Sequence, residues 1–164
     1  MDLTPKRAAE SATEMVQVVL PNDANPLGVI LGGTVMHLID IAGAIACHRH
    51  TRSLLVTAAV DDLQFLHPIK VGDLIILRSR VTCVFTTSLE VRVDVYSEET
   101  LTGRRRLTSI AYLTFVAIAR DGERIGVPPL ILDTDDERRV CQEAHARRAE
   151  RLKRRNTIDV RILP

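Results

Sequence analysis

The sequence lacks long apolar runs and an excess of charge of one sign. Its 22 Lys and Arg residues nearly balance 21 Asp and Glu residues, and the net charge of +1 indicates no general affinity for nucleic acid. No stretch is long and apolar enough to span a bilayer, and the first residues show no apolar signal-peptide core. We therefore expect a cytoplasmic protein, neither secreted nor inserted in a membrane.

Cysteine is also scarce. Cys47, Cys83 and Cys141 lie far apart in unlike contexts, and no CxxC pair occurs. Secreted disulfide scaffolds carry an even number of cysteines, so this pattern favours free thiols in a reducing compartment.

The composition that is present indicates a folded domain. Hydrophobic residues make up 46% of 164 residues, which is ordinary for a globular protein and excludes wholesale disorder. There is no internal repeat and no low-complexity segment. We divide the chain into one domain over residues 1–132 and a basic helical tail over residues 133–164.

One stretch organises the rest of the chain. Gly32-Gly33 is followed by an almost wholly apolar segment that predicts an α-helix over residues 34–49, with Thr34 as N-cap. A helix that is apolar on all sides must be covered on all sides, so we expect a sheet wrapped round it. Asp40 lies in its middle, where an unpaired charge is costly.

Five strands are predicted around this helix. They cover residues 15–20, 54–65, 75–85, 89–95 and 107–119, joined mostly by short turns. The order predicts an antiparallel sheet, which can leave one face in water. The apolar phase slips near Asp61-Asp62, which indicates a β-bulge. In the third of these strands, Cys83 and Phe85 are predicted to share the core face with Ile75, Leu77 and Val81.

The tail begins with acidic residues and becomes basic. This charge order favours a helix over residues 133–155, since acids stabilise the positive end of the helix dipole. Only Val140, Ala144 and Leu152 form an apolar stripe. We predict a solvated or oligomer-packing helix that is dispensable for chemistry.

Asp40 is the first candidate for chemistry. Gly43 and Ala44 share its face of the helix, and their small size is predicted to leave room for a ligand. A structural role, with the carboxylate paired to an arginine or a hydroxyl, is the alternative.

The helix start is the second candidate. The backbone N–H groups at Gly32-Gly33 favour an anion or a polarised carbonyl oxygen, although glycines also serve tight turns. Asn25 precedes them, and its amide can orient water or donate to an oxyanion. A plain turn role before Pro26 is the alternative for Asn25.

Two further sets of side chains allow weaker hypotheses. His37 could pair with Asp40 for acid–base work, although a satisfied helix histidine is the simpler interpretation. His48 and His50 show no third ligand in the sequence, so no metal site is predicted. Arginine forks at residues 104–106 suit phosphate groups, or form a solvated charged face.

Taken together, these residues resemble a hotdog-fold acyl-CoA thioesterase. The resemblance covers residues 15–131 and lies in the acyl-CoA hydrolase branch that includes bacterial short-chain and animal cytosolic enzymes. Its motifs are Asn25, Gly32-Gly33, Asp40, Val56-Thr57, Phe65, Pro68-Ile69, Gly72-Asp73, Thr87-Ser88, Glu90-Val91, residues 114–117 and Val127-Pro128.

The resemblance implies an α+β hotdog fold, in which a five-stranded antiparallel sheet wraps a long central helix. It also implies homodimers that join two sheets edge to edge, often as trimers of dimers. The partner molecule is acyl-CoA, with no nucleic acid, no metal and no organic cofactor.

The implied reaction is hydrolysis of acyl-CoA to a free acid and CoA. Asp40 acts as general base or nucleophile, Asn25 places the thioester or the water, and Gly33 belongs to the oxyanion site. In the family pattern, the asparagine of one subunit faces the aspartate of its partner. Substrate-binding residues implied by the match are Gly32, Thr57, Thr87, Ser88, Arg104 and Arg105.

The chain departs from the family pattern at Phe85, where many relatives carry glycine. Two other functions remain open at this point. One is a hotdog hydratase or dehydratase using His37 with Asp40, and the other is a non-catalytic acyl-CoA-binding regulatory module.

Overall fold

The computed structural model describes residues 3–157 and contains two sheets and two α-helices. A small parallel pair joins β1 (Lys6–Arg7) to β7 (Leu130–Ile131). The main antiparallel sheet has the order β2-β4-β5-β6-β3. Its strands are β2 (Thr13–Val18), β3 (Leu54–Phe65), β4 (Leu74–Val84), β5 (Ser88–Glu98) and β6 (Arg105–Ile118), and the helices are α1 (Gly32–Thr51) and α2 (Asp135–Thr157).

The predicted fold class is confirmed, with a five-stranded antiparallel sheet, a long helix and a C-terminal helix. β3 has the predicted bounds, and its register shifts on both sides of Val60, as the slipped apolar phase indicates. The pair β1 and β7 was not predicted, because strands of two residues carry no alternation. No helix among residues 3–157 has the length and apolarity that a membrane span requires.

Helix α1 lies on one face of the main sheet. Val35, Leu38, Ile39, Ala42 and Ala46 are buried against strand residues in one hydrophobic core. The helix starts at Gly32, with Leu31 as its N-cap and no capping side chain. The prediction of Thr34 as N-cap is therefore wrong, because Thr34 lies inside the first turn.

The opposite side of α1 is not covered by any of residues 3–157. Met36 is 46% exposed, His37 is exposed, and Asp40 is half-buried. The expectation that the chain's own sheet covers the helix on all sides is therefore wrong. Apolar side chains indicate that a surface needs burial, but they do not say which chain supplies the cover.

Gly43 brings α1 close to the sheet. A Cβ atom on Gly43 would lie 3.1 Å from both Phe115 Cε2 and Val91 Cγ1. The prediction that Gly43 leaves room for a ligand is thus wrong, since the space above it is filled by the sheet.

A bulge in β4 turns Cys83 away from the α1 core. The register between β4 and β5 shifts between Val81 and Cys83, which changes the face that later side chains occupy. Cys83 therefore meets α2 and forms a disulfide with Cys141, with Cα atoms 4.8 Å apart. Phe85 packs its ring against His145 of α2. The predicted core-face position of Cys83 and Phe85 is wrong.

The disulfide also differs from the expectation of three free thiols. Cys83 and Cys141 are 58 residues apart, so no local sequence signal predicts that they pair. The pairing depends on where α2 packs. Cys47 is free and buried in α1, and burial raises the pKa of its thiol.

Helix α2 packs on the outer face of the sheet, opposite α1. Val140 and Ala144 are buried, and Leu152 is 39% exposed. The helix begins at a capping box, in which Thr134 and Glu137 exchange backbone-to-side-chain hydrogen bonds. The expectation of a solvated or oligomer-packing helix is therefore wrong for its first half, which packs on the sheet of its own chain.

Two buried carboxylates hold α2 through arginines. Glu90 accepts two hydrogen bonds of 2.9 Å from Arg147, and the Glu90 side chain is only 2% exposed. Asp61, at the β3 bulge and equally buried, pairs with Arg151. Burial lowers the pKa of the Arg147 guanidinium, but its hydrogen bonds to Glu90 and the negative charge of Glu90 raise that pKa, and the net result is a pKa above the ordinary value.

We expect Arg147→Met to lower the free energy of unfolding by about 3 kcal/mol, because it leaves the Glu90 carboxylate buried without its cation. Adding Glu90→Gln should recover part of the loss. Urea denaturation at neutral pH measures both. The matched control is Arg139→Met, since the partners of Arg139 are exposed and its loss should cost less than about 1 kcal/mol. Equal losses for the two arginines would contradict the prediction.

Truncation after Leu132 removes α2 with Arg147 and Arg151, so it should also lower the free energy of unfolding, which the same urea denaturation measures.

His50 joins the end of α1 to the segment before β7. Its side chain is fully buried, Nε2 lies 2.8 Å from the Pro128 carbonyl oxygen, and Nδ1 has no hydrogen-bond partner among the described residues. Burial lowers the pKa of His50 below the ordinary 6.5. The folded protein therefore holds a neutral imidazole that donates through Nε2.

Because the folded pKa of His50 lies below the unfolded pKa, the unfolded state takes up the proton first as pH falls. We expect the contribution of His50 to stability to be constant above about pH 7.5 and to fall below about pH 6.5, by up to about 1.4 kcal/mol per pH unit. Denaturation curves of wild type and His50→Gln across this range measure the effect. The difference between the two should vary with pH, whereas Gln142→Ala, an exposed control that replaces no titratable group, should run parallel to wild type.

Candidate active site

Asp40 and Thr57 form the centre of the candidate site. The Thr57 hydroxyl on β3 donates a 2.7 Å hydrogen bond to Asp40 Oδ1 on α1. Asp40 is half-buried, on the side of α1 that the sheet leaves open. A carboxylate fixed by a hydroxyl at an accessible position can accept a proton from water or attack a carbonyl carbon.

The start of α1 carries unused donors. The N–H groups of Gly32, Gly33 and Thr34 have no hydrogen-bond acceptor within residues 3–157, because the first helical bond is donated by Val35 to Leu31. Gly32 lines a cavity of about 280 Å³, bounded by Phe65, Leu66 and His67. A Cβ on Gly33 would meet no atom within 4 Å, so its backbone is open to a ligand.

Asp40 is distant from the helix start of its own chain. It lies seven residues after Gly33, which corresponds to roughly 10 Å along the helix axis. One chain therefore presents the carboxylate and the N–H donors in separate places.

Asn25 stabilises the turn that leads to α1. Its Oδ1 accepts hydrogen bonds from the backbone N–H groups of Leu27 (2.9 Å) and Val29 (3.4 Å). The predicted turn role of Asn25 therefore accounts for the hydrogen bonds that its side-chain oxygen accepts. The Nδ2 donors have no acceptor among the described residues, and Asn25 is half-exposed.

The histidines do not join the site. No hydrogen bond links His37 to Asp40 within the described chain. His48 Nδ1 contacts the Ser53 carbonyl oxygen at 2.9 Å, and His50 Nε2 contacts the Pro128 carbonyl oxygen, so one ring nitrogen of each histidine already has a backbone partner.

The remaining predicted substrate contacts lie at opposite ends of the hairpin between β5 and β6. Thr87 and Ser88 are at the start of β5, while Arg104 and Arg105 follow its far end, roughly 30 Å away. Ser88 precedes the core residue Leu89, so it points to the outer face, away from Asp40. The structure does not bring these two pairs together within one chain.

Arg104 and Arg105 are exposed and paired to Glu99 and Glu98, respectively. Arg104 also lines a cavity of about 750 Å³ together with Lys70 and Arg106. This end of the sheet has the basic groups that phosphates need, although acidic partners already hold the two arginines.

The role of Thr57 as the partner of Asp40 was not evident from sequence. A lone threonine in an alternating strand carries no local signal of a contact with a helix 17 residues earlier. Only the packing of β3 beside α1 reveals it.

Comparisons with known proteins agree with this architecture. Residues 27–104 match the model of the Thioesterase superfamily. An uncharacterized acyl-CoA thioester hydrolase of Bacillus subtilis (strain 168) is 38% identical, over 89% of this chain and 85% of its own. The chain spans only 38% of the length of the human cytosolic acyl coenzyme A thioester hydrolase, at 29% identity over 87% of this chain.

Solved structures are similar over nearly the whole chain. An apo hexameric acyl-CoA thioesterase superposes with a TM-score of 0.89 at 37% identity, covering 94% of this chain and 99% of that one. The acyl-CoA hydrolase of Staphylococcus aureus, in complex with butyryl-CoA, CoA and CoA disulfide, gives 0.84 at 33% identity, with 92% of each chain covered. The chain belongs to the thioesterase superfamily, in the hotdog-fold branch of acyl-CoA thioester hydrolases.

Proposed function

We propose that this protein is an acyl-CoA thioesterase that hydrolyses acyl-CoA to a free carboxylic acid and CoA. The observation that carries the proposal is the Asp40 carboxylate, held by Thr57 on the open side of α1. The relatives that match this chain are named as acyl-CoA hydrolases, and the Staphylococcus aureus enzyme has been crystallised with butyryl-CoA and CoA.

Asp40 activates water or attacks the thioester carbon directly. In the first route, Asp40 accepts a proton from water as the water oxygen bonds to the carbonyl carbon, and the carbon–sulfur bond then breaks. In the second route, the carboxylate forms an anhydride that water hydrolyses. In both routes the N–H groups at Gly32 and Gly33 stabilise the oxyanion. In the first route the proton on Asp40 passes to the leaving sulfur, and in the second CoA leaves as a thiolate that takes a proton from the water that hydrolyses the anhydride.

The two halves of this site come from different chains. Since Asp40 lies roughly 10 Å from its own Gly33, the N–H donors and the Nδ2 of Asn25 face the Asp40 of a partner subunit. Each dimer then contains two equivalent sites, as two-fold symmetry requires. Thr57 holds the Asp40 carboxylate through its hydrogen bond, and Gly32 lies beside the thioester.

Strand β3 forms the dimer edge. It is an edge strand of 12 residues, and its exposed apolar side chains need a cover. Those side chains are Leu54, Val56, Val60 and Phe65, each exposed by 45% or more. Pairing of two β3 strands joins two sheets into one and covers the open side of α1. Three such dimers form a hexamer, the state of the apo acyl-CoA thioesterase whose structure superposes on this chain.

Three substituted residues of the Staphylococcus aureus hydrolase support the assignment of Asn25, Asp40 and Thr57. Structures of that enzyme include variants in which an asparagine, an aspartate or a threonine is replaced by alanine. The asparagine and aspartate are 15 residues apart, and the aspartate and threonine 17. Asn25, Asp40 and Thr57 have the same two separations.

CoA binding uses both ends of the hairpin between β5 and β6, contributed by different subunits. Thr87 contacts the substrate of one site, and Arg104 and Arg105 hold phosphate of another, whereas Ser88 points to the outer face and is left out of the proposed contacts. Hydrolysis needs no metal and no organic cofactor, and the protein works in the cytoplasm, as the name of the human relative indicates for that protein.

Release of CoA thiol from acyl-CoA tests the proposed function. The purified protein is supplied with acyl-CoA of several chain lengths, thiol is measured with a chromogenic reagent, and the acyl product is identified by mass spectrometry. A hydrolase yields free acid and thiol in equal amounts. A hydratase alters the acyl chain and keeps the thioester, and a binding module leaves the substrate unchanged. Either of those outcomes would overturn the proposal.

A further inference from the structure

We propose that Cys83, Cys141 and His145 form a zinc-binding site when the two cysteines are reduced. The site lies between β4 and α2, on the face of the sheet opposite Asp40. One ligand atom from each residue lies within 4.8 Å of the others. This goes beyond the expectation from sequence that the chain binds no metal, and it is separate from the proposed hydrolysis.

The geometry of the three side chains suits zinc. Cys141 and His145 are four residues apart on α2, which brings both to one face of the helix. Cys83 reaches that face because of the bulge in β4. Two thiolates and one imidazole are preferred zinc ligands, and a tetrahedral ion with bonds of about 2.0–2.3 Å separates its ligand atoms by roughly 3.5 Å. Small side-chain movements produce that spacing.

Neighbouring residues keep His145 and Cys83 in place, and a cavity at Cys141 gives the ion access to the site. The His145 ring stands edge-on to Phe85, with ring centroids 5.1 Å apart, which fixes the imidazole beside the sulfur atoms. Cys83 is buried, whereas Cys141 lines a cavity of about 450 Å³ bounded by Val84, Val127 and Leu132. Solvent in that cavity supplies a fourth ligand, since the described residues offer three.

The redox state decides between a disulfide and a metal site. Reduction by a phosphine breaks the sulfur–sulfur bond. The phosphine gives up two electrons and takes oxygen from one water molecule, whose two protons go to the sulfur atoms. Zinc then binds two thiolates and releases those two protons. Disulfides are rare in cytosolic proteins, so the reduced form is the working one if the proposed cytoplasmic location holds.

Either state ties α2 to the sheet. The disulfide does so covalently, and zinc would do so through ligands from β4 and α2. The site therefore acts in docking α2, together with the Glu90–Arg147 and Asp61–Arg151 pairs, rather than in hydrolysis.

The test uses the full chain, reduced with a phosphine under nitrogen and desalted. Zinc per chain is measured by elemental analysis, and Co²⁺ is titrated as a spectroscopic probe. We expect one Zn²⁺ per reduced chain, together with thiolate-to-cobalt charge-transfer bands and the d–d bands of four-coordinate cobalt. The oxidised protein should bind neither ion.

Variants identify the ligands. Cys83→Ser, Cys141→Ser and His145→Gln should each weaken zinc binding by more than the roughly 10–100-fold that outer partners of a metal site contribute. Cys47→Ala and His48→Gln should bind like wild type. Equal zinc uptake by oxidised and reduced protein, or an unchanged cobalt spectrum in His145→Gln, would overturn the proposal. Thiol release from acyl-CoA, measured on the same samples, reports separately on the proposed function.

Discussion

Asp40→Asn should lower kcat for acyl-CoA hydrolysis by about 10²–10⁴, the range that a positioned general base contributes. The fold should be unaffected, because asparagine has the same shape and its amide oxygen still accepts the hydrogen bond that Thr57 donates to Asp40. The amide can neither accept the water proton nor attack the thioester. Steady-state thiol release, beside circular dichroism and thermal unfolding of the same samples, measures the effect.

Two further variants sharpen this result. Thr57→Val removes the hydrogen bond but keeps the carboxylate, so its expected loss is smaller, about 10–100-fold, in line with one bond to a charged group. Asp135→Asn, an exposed carboxylate at the start of α2 and away from the proposed dimer edge, is the control and should match wild type. A folded Asp40→Asn protein with near-wild-type kcat would falsify the assignment of Asp40 as the reacting carboxylate.

A mixture of two inactive variants should regain about a quarter of wild-type activity when the chains are unfolded and refolded together. The first variant is Asp40→Asn. The second is Asn25→Asp, which keeps the Oδ1 acceptor used by Leu27 and Val29 in the turn and removes the amide donors. Random pairing makes about half of the dimers mixed, and one of the two sites in each mixed dimer is intact.

The result depends on which chains build each site. If Asn25 and Asp40 acted within one chain, every site in the mixture would carry one lesion, and activity would stay at the level of the separate variants. Mass spectrometry of the intact oligomers shows whether mixed dimers are present. Mixed dimers without recovered activity would rule out the shared site. Wild type unfolded and refolded in the same way sets the reference.

The elements with strong periodicity could be predicted from the sequence. The apolar segment gave α1 to within a few residues, and alternation gave the five main strands, including the bulge in β3. These predictions succeed because helices and strands present side chains with different periods. The spacing of apolar residues along the sequence therefore indicates both the type of element and its buried face. The short pair of β1 and β7 has no period to detect.

The position of Asp40 in the middle of an apolar helix also marks it as unusual without any structure. A charge in such a segment requires a partner or a use, and this requirement is local. The same reasoning failed at Gly43, since a small residue beside a carboxylate is compatible with a ligand space and with close packing. Only the distances to Phe115 and Val91 separate the two.

By itself, the sequence determined the order and type of the main elements, the bulge in β3 and the candidate carboxylate. The tertiary structure decided which distant residues meet: Thr57 with Asp40, Cys83 with Cys141, and Glu90 with Arg147. It also decided that one side of α1 is left uncovered by the part of the chain that the structure describes. The physical reason is that local periodicity reports how each element is buried, whereas contacts between distant elements depend on packing geometry and on a bulge that changes the face of later side chains.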